Sequence, residues 1–529
     1  MGVIIIPITN TRDIYGDSNT CAMLIADTLS SFVDDTVYKL RYSAFYSCST
    51  LEYVELPALR SSTIGYGAFS GCVNLSFISL ENAQYLGEGM FNGCKKLSSI
   101  YAPKVQSTSY GVFSYCEHLS QINFPLLSYV QSGAFYGCYR LSSISMPLLL
   151  SIYSGGFNRC FGIRTASFSK LNGIGSYGFY QCYKLSEISV PKLSIMRDTA
   201  FNGVPINKLV LHSRCTCYSY VCNRIVELDF QNGFDCINSS QFANNTWLLR
   251  LIIRWSSVNT LASNALSNTP IASGIGKIYV PDNLVSAYKT NSRWSAYASQ
   301  IDSINNYTDA PPPSLETISD SWNEIIANPN YSTDYSIGDT KWLNIYGRPV
   351  LMQIVAFDTD ELSNNSGNAH ITWLSSGPVF EACMDFGYNY GWHVSDLRDW
   401  LQTDIMQSIS SDVRSNIKEV KKTTRILYNS GNSVNVKQDV INDTIWIPSK
   451  RELNNTVSSN TESSGCTYTG NIDFTKGNPL CNTQYWTRTC GTGTGYFYTC
   501  GFNVGTNNFS SFSNEQYSQF RGVVIGFCT

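Results

Sequence analysis

Ala68-Phe69-Ser70-Gly71-Cys72-Val73-Asn74-Leu75-Ser76-Phe77-Ile78 is the stretch whose recurrence decides the fold of the first half of this 529-residue chain. Outward from Phe69, the same residue stands at Phe45, Phe91, Phe113, Phe135, Phe157, Phe179 and Phe201, an interval of 24 followed by six of 22. Three positions after each comes Cys48, Cys72, Cys94, Cys116, Cys138, Cys160 or Cys182, with Val204 in the eighth slot. Three further on stand Leu51, Leu75, Leu97, Leu119, Leu141, Ile163 and Leu185, then Val54, Ile78, Ile100, Ile122, Ile144, Ala166 and Ile188. Pro57, Pro103, Pro125, Pro147 and Pro191 close the short strand that follows.

A fixed period of this length is the mark of a solenoid, in which each coil buries its apolar residues only by stacking on its neighbours. Each coil sends one Phe, one Cys and two aliphatics inward, and the thiol acts as a small apolar filler. An isolated Cys every 22 residues offers no second metal ligand within its own coil, so the seven ladder cysteines are expected buried and reduced. Replacing Cys116 by Ser is accordingly expected to bury a hydroxyl without an arranged partner, at about 1–3 kcal/mol.

The pattern Ala-Phe-x-Gly-Cys-x-x-Leu-x-x-Ile resembles the BspA-type leucine-rich repeat of bacterial surface proteins and of phage and prophage tail proteins, over residues 40 to 275. Past Val204 the array becomes irregular: Phe242, Asn245, Leu248 and Leu251 form a degenerate copy, and Ala265 to Ile271 echoes Ala200 to Ile206. Between them lie His212, Cys215, Cys217, Cys222 and Cys236, a Cys/His group without a Cys-x-x-Cys pair, read as buried thiols of an irregular coil and not as a zinc site.

Charged residues are 14% of the chain against about 25% in ordinary soluble proteins, and net charge is -3. That argues against a nucleic-acid binder. No apolar run is long enough for a membrane helix, and the opening Met1 to Ile8 lacks the features of a secretory signal or, with Ile6 in place of Ser or Thr, of a myristoylation site. The 34 Tyr, 26 Phe and 10 Trp beside abundant Ser, Asn, Thr and Gly suit an adhesive surface.

Residues 1–39 read as an N-terminal cap or attachment segment with a helix over Thr20 to Phe32, 40–275 as the solenoid, and 276–304 as its C-terminal cap. In that cap Asp282 is expected to N-cap a helix carrying Leu284, Val285 and Tyr288, with Trp294, Tyr297 and Ile301 later. Residues 305–314, with Pro311-Pro312-Pro313, form a semi-rigid linker. Residues 315–529 read as α+β. Helices are expected near Ser319 to Ala327, after Ser395, and near Val413 to Val420, and strands at Lys341 to Phe357, Ile371 to Leu374, Thr444 to Pro448, Gln484 to Arg488 and Gly522 to Phe527. The landmarks Trp392 to Leu401, Ile447 to Ser449, Tyr485 to Arg488 and Arg521 to Val523 resemble a domain of unknown function from gut bacteria and their phages. That resemblance implies a C-type-lectin-like fold.

No catalytic constellation is identifiable. The four histidines, His118, His212, His370 and His393, are scattered, no phosphate loop is present, and Asp358 with Asp360 reads as a solvated pair in a polar loop. Cys490 and Cys500 read as buried thiols or a loop staple, not as an oxidase pair. Binding is the expected activity, with no cofactor and no metal. Its candidates are a terminal loop over Thr492 to Gln519, with Tyr496, Tyr498, Asn503, Asn507, Asn508, Asn514 and Tyr517, and a repeat edge following each ladder Phe, with Tyr46, Asn92, Tyr136, Asn158, Tyr180 and Asn202. The resulting expectation is a phage virion protein of the tail tip or a fibre, assembled in the host cytoplasm, that adheres to a host surface glycan or protein and contacts other tail proteins. Neither nucleic acid nor membrane insertion is expected, and self-association is left open. The alternative is a bacterial cell-surface adhesin, with an enzyme in the C-terminal domain as the third reading.

Overall fold

The structure is a computed structural model and describes residues 12–14, 29–40, 42–60, 65–212, 215–218, 222–231, 236–308, 315–377, 379–382, 392, 395–430, 433–448, 484–490, 496–503, 508–516 and 521–529. The chain divides into two compact units, Met1–Thr308 and Asp309–Thr529. The proline linker expected at 305–314 lies mostly outside the described residues.

In the first unit each repeat makes one coil with two short strands and a turn that carries the ladder Phe and Cys. Strands of successive coils pair in parallel one period apart: Phe77 stands opposite Ser99, Gln121 opposite Ser143, and Tyr129 opposite Ser151. One sheet runs from Tyr85–Leu86 to Thr216–Cys217, and another from Thr165–Ser167 through Lys277–Val280 to Ile301–Ser303. Strands of two to four residues suffice because each contributes one or two inward side chains, and the next coil covers them. The turns stack as well, Phe69 N donating to Met90 O and Phe91 N to Val112 O.

The inward ladders are continuous. Neighbouring phenylalanine rings from Phe45 to Phe201 lie 5.0 to 5.7 Å apart and within 11° of parallel. All seven ladder cysteines are buried. Two corners of each coil require a left-handed backbone, one two residues before the ladder Phe and one two residues after it. Gly67 and Gly71 (φ 61° and 77°) take them in one coil, and Gly133 and Gly137 (63° and 72°) in another.

The ends depart from expectation. Phe32, expected to finish a helix, lies in the strand Ser31–Val33, which pairs with Tyr53–Glu55 and places the Phe32 ring 5.1 Å from Phe45. Extended backbone there starts the aromatic ladder; the rest of the expected helix, through residue 28, lies outside the described residues. At the other end Pro281, not Asp282, is the N-cap, and a 3-10 turn Asp282–Leu284 leads into the helix Val285–Thr290. Ile301 belongs to a strand that pairs with Lys277–Val280 and extends the sheet by one more rung. The rings of Tyr288 and Trp294 are buried, donating to Ser257 O (3.3 Å) and Asn259 O (2.7 Å).

The second unit is sheet-rich. One antiparallel sheet orders Thr340–Ile345, Arg348–Phe357, Ile371–Ser375, Gly526–Cys528 and Ile445–Trp446, and another orders Phe380–Ala382, Arg521–Val523, Gln484–Cys490, Tyr496–Asn503 and Asn508–Gln516, with one parallel contact. The segment 522–527, expected as one strand, is split between these two sheets. The helix Trp322–Ala327 begins at a capping box: Glu324 N donates to Ser321 Oγ, and Ser321 N to the Glu324 carboxylate. Ser395 Oγ accepts from Arg398 N and starts Asp396–Trp400, as its sequence position suggests. The helix expected over Val413 to Val420 is only Ser411–Arg414. Val420 instead opens an 11-residue strand that pairs with Ser433–Asp443.

Candidate functional site

The repeat edge is built by the coil geometry. The residue after each ladder Phe precedes the left-handed corner, so its side chain leaves the core beside the turn. Tyr46 is 57% exposed and Asn92 is exposed, whereas Tyr136, Asn158, Tyr180 and Asn202 are half-buried. Their difference is local. Tyr136 meets Tyr115 edge-on at 5.1 Å and Tyr180 meets Tyr177 edge-on at 5.3 Å, so each ring is partly covered by a corner residue. Asn158 Oδ1 is buried without a hydrogen-bond donor among the described residues.

Further exposed rings are ones that sequence reasoning passed over. Tyr42 (59%), Tyr66 (50%) and Tyr110 (62%) share the register position three residues before the ladder Phe, and Tyr42 and Tyr66 stack at 5.3 Å and 13°. Tyr115, Tyr153 and Tyr177 are also exposed. The signal was present in the period itself: once Phe, Cys and the aliphatics are assigned inward, a tyrosine at any corner register must face solvent.

Beside the edge, Tyr139, Phe161 and Tyr183 continue an aromatic stack at 5.0 and 4.9 Å, with Phe161 and Tyr183 buried. Lys95 and Glu117 hold the same register in the two preceding coils and pair at 3.1 Å. Burial and the neighbouring Glu117 carboxylate push the Tyr139 hydroxyl well above its ordinary range, so it is a neutral donor at physiological pH.

The ladder thiols have a role beyond filling. Cys72, Cys94, Cys116, Cys138, Cys160 and Cys182 each donate to the carbonyl of the ladder Phe one coil back, at 2.9 to 3.2 Å. Burial pushes Cys116, Cys138, Cys160 and Cys182 far above the ordinary thiol range. They are inert donors, so the expected orphan hydroxyl of Cys116→Ser is overturned: Phe91 O stands ready as its acceptor.

In the irregular coils Cys217 Sγ donates to Cys215 Sγ at 3.8 Å, Asn245 Nδ2 approaches Cys222 Sγ at 4.0 Å, and Cys236 Sγ donates to Asn238 Oδ1. No three metal-ligating side chains converge among the described residues.

The terminal candidates are placed differently from expectation. Tyr496, Tyr498, Asn503, Asn508 and Asn514 lie on a β-hairpin, not a loop, with Tyr498 opposite Asn514 and Asn503 opposite Asn508. The Ser- and Asn-rich composition hid strands that take their order from neighbouring strands. Asn507 and Tyr517 lie outside the described residues. Cys490 registers with Phe497, and Cys500 with Tyr485 and Phe512, so the two cysteines are not cross-strand partners.

Asp360 also corrects the sequence reading. It is not solvated but buried in an ion pair with Lys422, accepting as well from Thr372 Oγ1 (2.7 Å) and Cys528 Sγ (3.5 Å). The Lys422 ammonium sits 3.8 Å from the Trp446 ring centroid. Asp358 remains exposed and accepts from Tyr331 OH.

The family profile described as "BspA type Leucine rich repeat region" matches residues 28–142, 106–219, 150–272 and 216–290 in overlapping segments, and that of a domain of unknown function (DUF6273) matches residues 381–519. Among solved structures, the chain is similar to a leucine-rich repeat protein from Bacteroides ovatus at 20% identity, covering 51% of this chain and 70% of that one with a TM-score of 0.36. It is similar to a leucine rich cell surface protein from Faecalibacterium prausnitzii at 16% identity, covering 52% and 87% with a TM-score of 0.29. The pneumococcal vaccine antigen PcpA matches at 15% identity, covering 55% and 81% with a TM-score of 0.30. A search of curated proteins found no match.

Proposed function

We propose that this leucine-rich-repeat protein is a bacterial cell-surface adhesin, acting by binding and not by turnover, whose ligand is a glycan or protein on another surface. The observation that carries the reading is the rigid array of BspA-type repeats with exposed tyrosines at its corners, among them Tyr42, Tyr46, Tyr66, Tyr110, Tyr115 and Tyr177. Tyrosine offers large, rigid, amphipathic contact area at low entropic cost, and a solenoid holds such rings at fixed intervals. The second unit serves the same end in this reading, as a lectin-like module whose hairpin Tyr496–Asn503 and Asn508–Gln516 carries polar and aromatic residues. Low overall charge fits recognition by ring faces and amides, with little dependence on salt.

The test is saturable adsorption of the labelled full chain to bacterial and animal cells, with immunogold labelling of the producing cells and of phage particles released from them. Adsorption together with gold on the cell envelope supports the adhesin. Gold confined to tail structures would replace it by a virion protein contacting other tail proteins, and adsorption to no surface would overturn recognition altogether.

A further inference from the structure

The left-handed corner that follows the ladder Phe is glycine at Gly71, Gly93, Gly137 and Gly203. In three of the coils between them it is Tyr115, Arg159 and Gln181, with φ of 59°, 60° and 59°. A side chain forced into this region is strained relative to glycine. The fold does not require these residues, because glycine serves the same corner in adjacent coils. Strain of this kind, repeated at one register, points to a use for the side chains themselves.

Their placement supplies the use. The Tyr115 ring lies over Gly137 of the next coil, where a Cβ would come within 3.2 Å of the ring. Tyr115 is 42% exposed and meets Tyr136 edge-on at 5.1 Å. The Arg159 guanidinium stands 6.0 Å from the Tyr136 ring centroid, and Arg159 Nε donates to Gln181 Oε1 at 3.1 Å. Four successive coils thus offer Tyr115, Tyr136, Arg159 and Gln181 as one strip along the solenoid axis. The carboxylate nearest in register, Glu117, is paired with Lys95.

We infer that this strip binds a linear polysaccharide of pyranose units, about one sugar per coil. The inference rests on the adhesin reading and names the ligand class for its repeat surface. Across these coils the ladder rings are 5.1 to 5.3 Å apart, which matches the advance of one pyranose unit along an extended chain. Tyrosine edges and faces cover the C–H surfaces of sugar rings, while the guanidinium and amide groups donate to and accept from hydroxyls. A periodic, largely uncharged ligand fits a periodic strip of this kind.

The test compares the full-length wild type with Tyr115→Gly and with the double variant Arg159→Gly/Gln181→Gly, measuring binding to an immobilised panel of linear bacterial surface polysaccharides and adsorption to intact and periodate-oxidised cells. Each substitution restores the residue that neighbouring coils carry, so the melting temperature should hold or rise. Binding should fall at least about tenfold, the size expected for loss of a dominant contact residue. Equal binding by wild type and variants would remove the strip as the site, and a lowered melting temperature would make the side chains structural. Adsorption that survives periodate with no panel member bound would overturn the ligand class while leaving the adhesin reading intact. A wild type that binds neither cells nor polysaccharides would bring down both.

Discussion

The regular coils of the first unit and the sheets of the second keep polar groups inside protein in opposite ways. The regular coils repeat one solution, with the thiol of each ladder Cys from Cys72 to Cys182 placed on the carbonyl of the preceding coil's Phe. The second unit uses each solution once. Asp360 gathers Lys422, Thr372 and Cys528, and Asp443 gathers Trp392 Nε1 and Arg398 Nε. Repetition spreads stability over many equivalent interfaces, whereas a singular network concentrates it on a few groups whose loss is not shared.

The largest expected effect is alkaline. Burial raises the thiols of Cys94, Cys116, Cys138, Cys160 and Cys182 in the folded coil, so the folded protein keeps protons that the unfolded chain releases above about pH 8.5. Their contribution is therefore fully present below that pH and is lost as pH rises. The loss grows with the number of buried thiols whose protons the unfolded chain gives up, and these five act in the same direction. In the second unit Cys528 is raised in the same way, by burial. Hydrogen exchange followed by mass spectrometry at pH 8 and pH 9.5 should show the solenoid loosening far more than the Asp360 region. Equal loosening would break the contrast between the units.

Next in size is the ion pair. Asp360→Ala leaves the Lys422 ammonium buried without its carboxylate and should cost about 3–5 kcal/mol in the second unit. The double variant Asp360→Leu/Lys422→Met should recover much of that, because a well-packed apolar pair avoids the desolvation of both charges. Denaturant unfolding resolved by unit reads both, and the solenoid transition should not move. An unchanged second transition in Asp360→Ala would mean that the pair contributes nothing.

Smaller again is Gly137→Ala. Gly137 has φ 72°, and the added methyl would meet the Tyr115 ring at 3.2 Å. Backbone strain of about 1–2 kcal/mol and displacement of the ring should lower the melting temperature and, through the strip, polysaccharide binding together. Removing the ring in a Tyr115→Gly background should leave only the backbone part.

Legibility followed the same divide. The Phe, Cys and aliphatic ladders could be read because eight copies repeat one register, and that register also implied the exposed corners. The Asp360–Lys422 pair could not, because its members lie 62 residues apart and nothing near Asp360 distinguishes it from the exposed Asp358. Val413, Ile417 and Val420 have helical spacing, yet Val420 is claimed by an 11-residue hairpin strand whose partner begins at Ser433. The paired strands Tyr496–Asn503 and Asn508–Gln516 were missed for the complementary reason. Their Ser and Asn residues carry weak strand preference, and strand pairing decides their conformation.

The smallest effect is the most informative about the ladder. Phe91 O already accepts from Cys94 N at 3.0 Å, and the Cys116 thiol is its second donor at 3.1 Å. Cys116→Ala therefore removes a bond and some packing without orphaning the carbonyl. Cys116→Ser keeps a donor in place, though its shorter C–O bond reaches less far and buries less apolar surface. The Ser variant should cost about 1 kcal/mol or less, at the low end for a neutral hydrogen bond exchanged in place, and less than the Ala variant. Val204 fills the equivalent slot in the eighth coil and is fully buried, so the register tolerates a side chain with no donor where the aliphatic volume compensates. Cys116→Val should then separate volume from bonding. If Ser costs more than both Ala and Val, the thiol serves as an apolar filler and its hydrogen bond is incidental. If Ser is the mildest of the three, the repeated S–H to carbonyl contact is part of what holds one coil on the next.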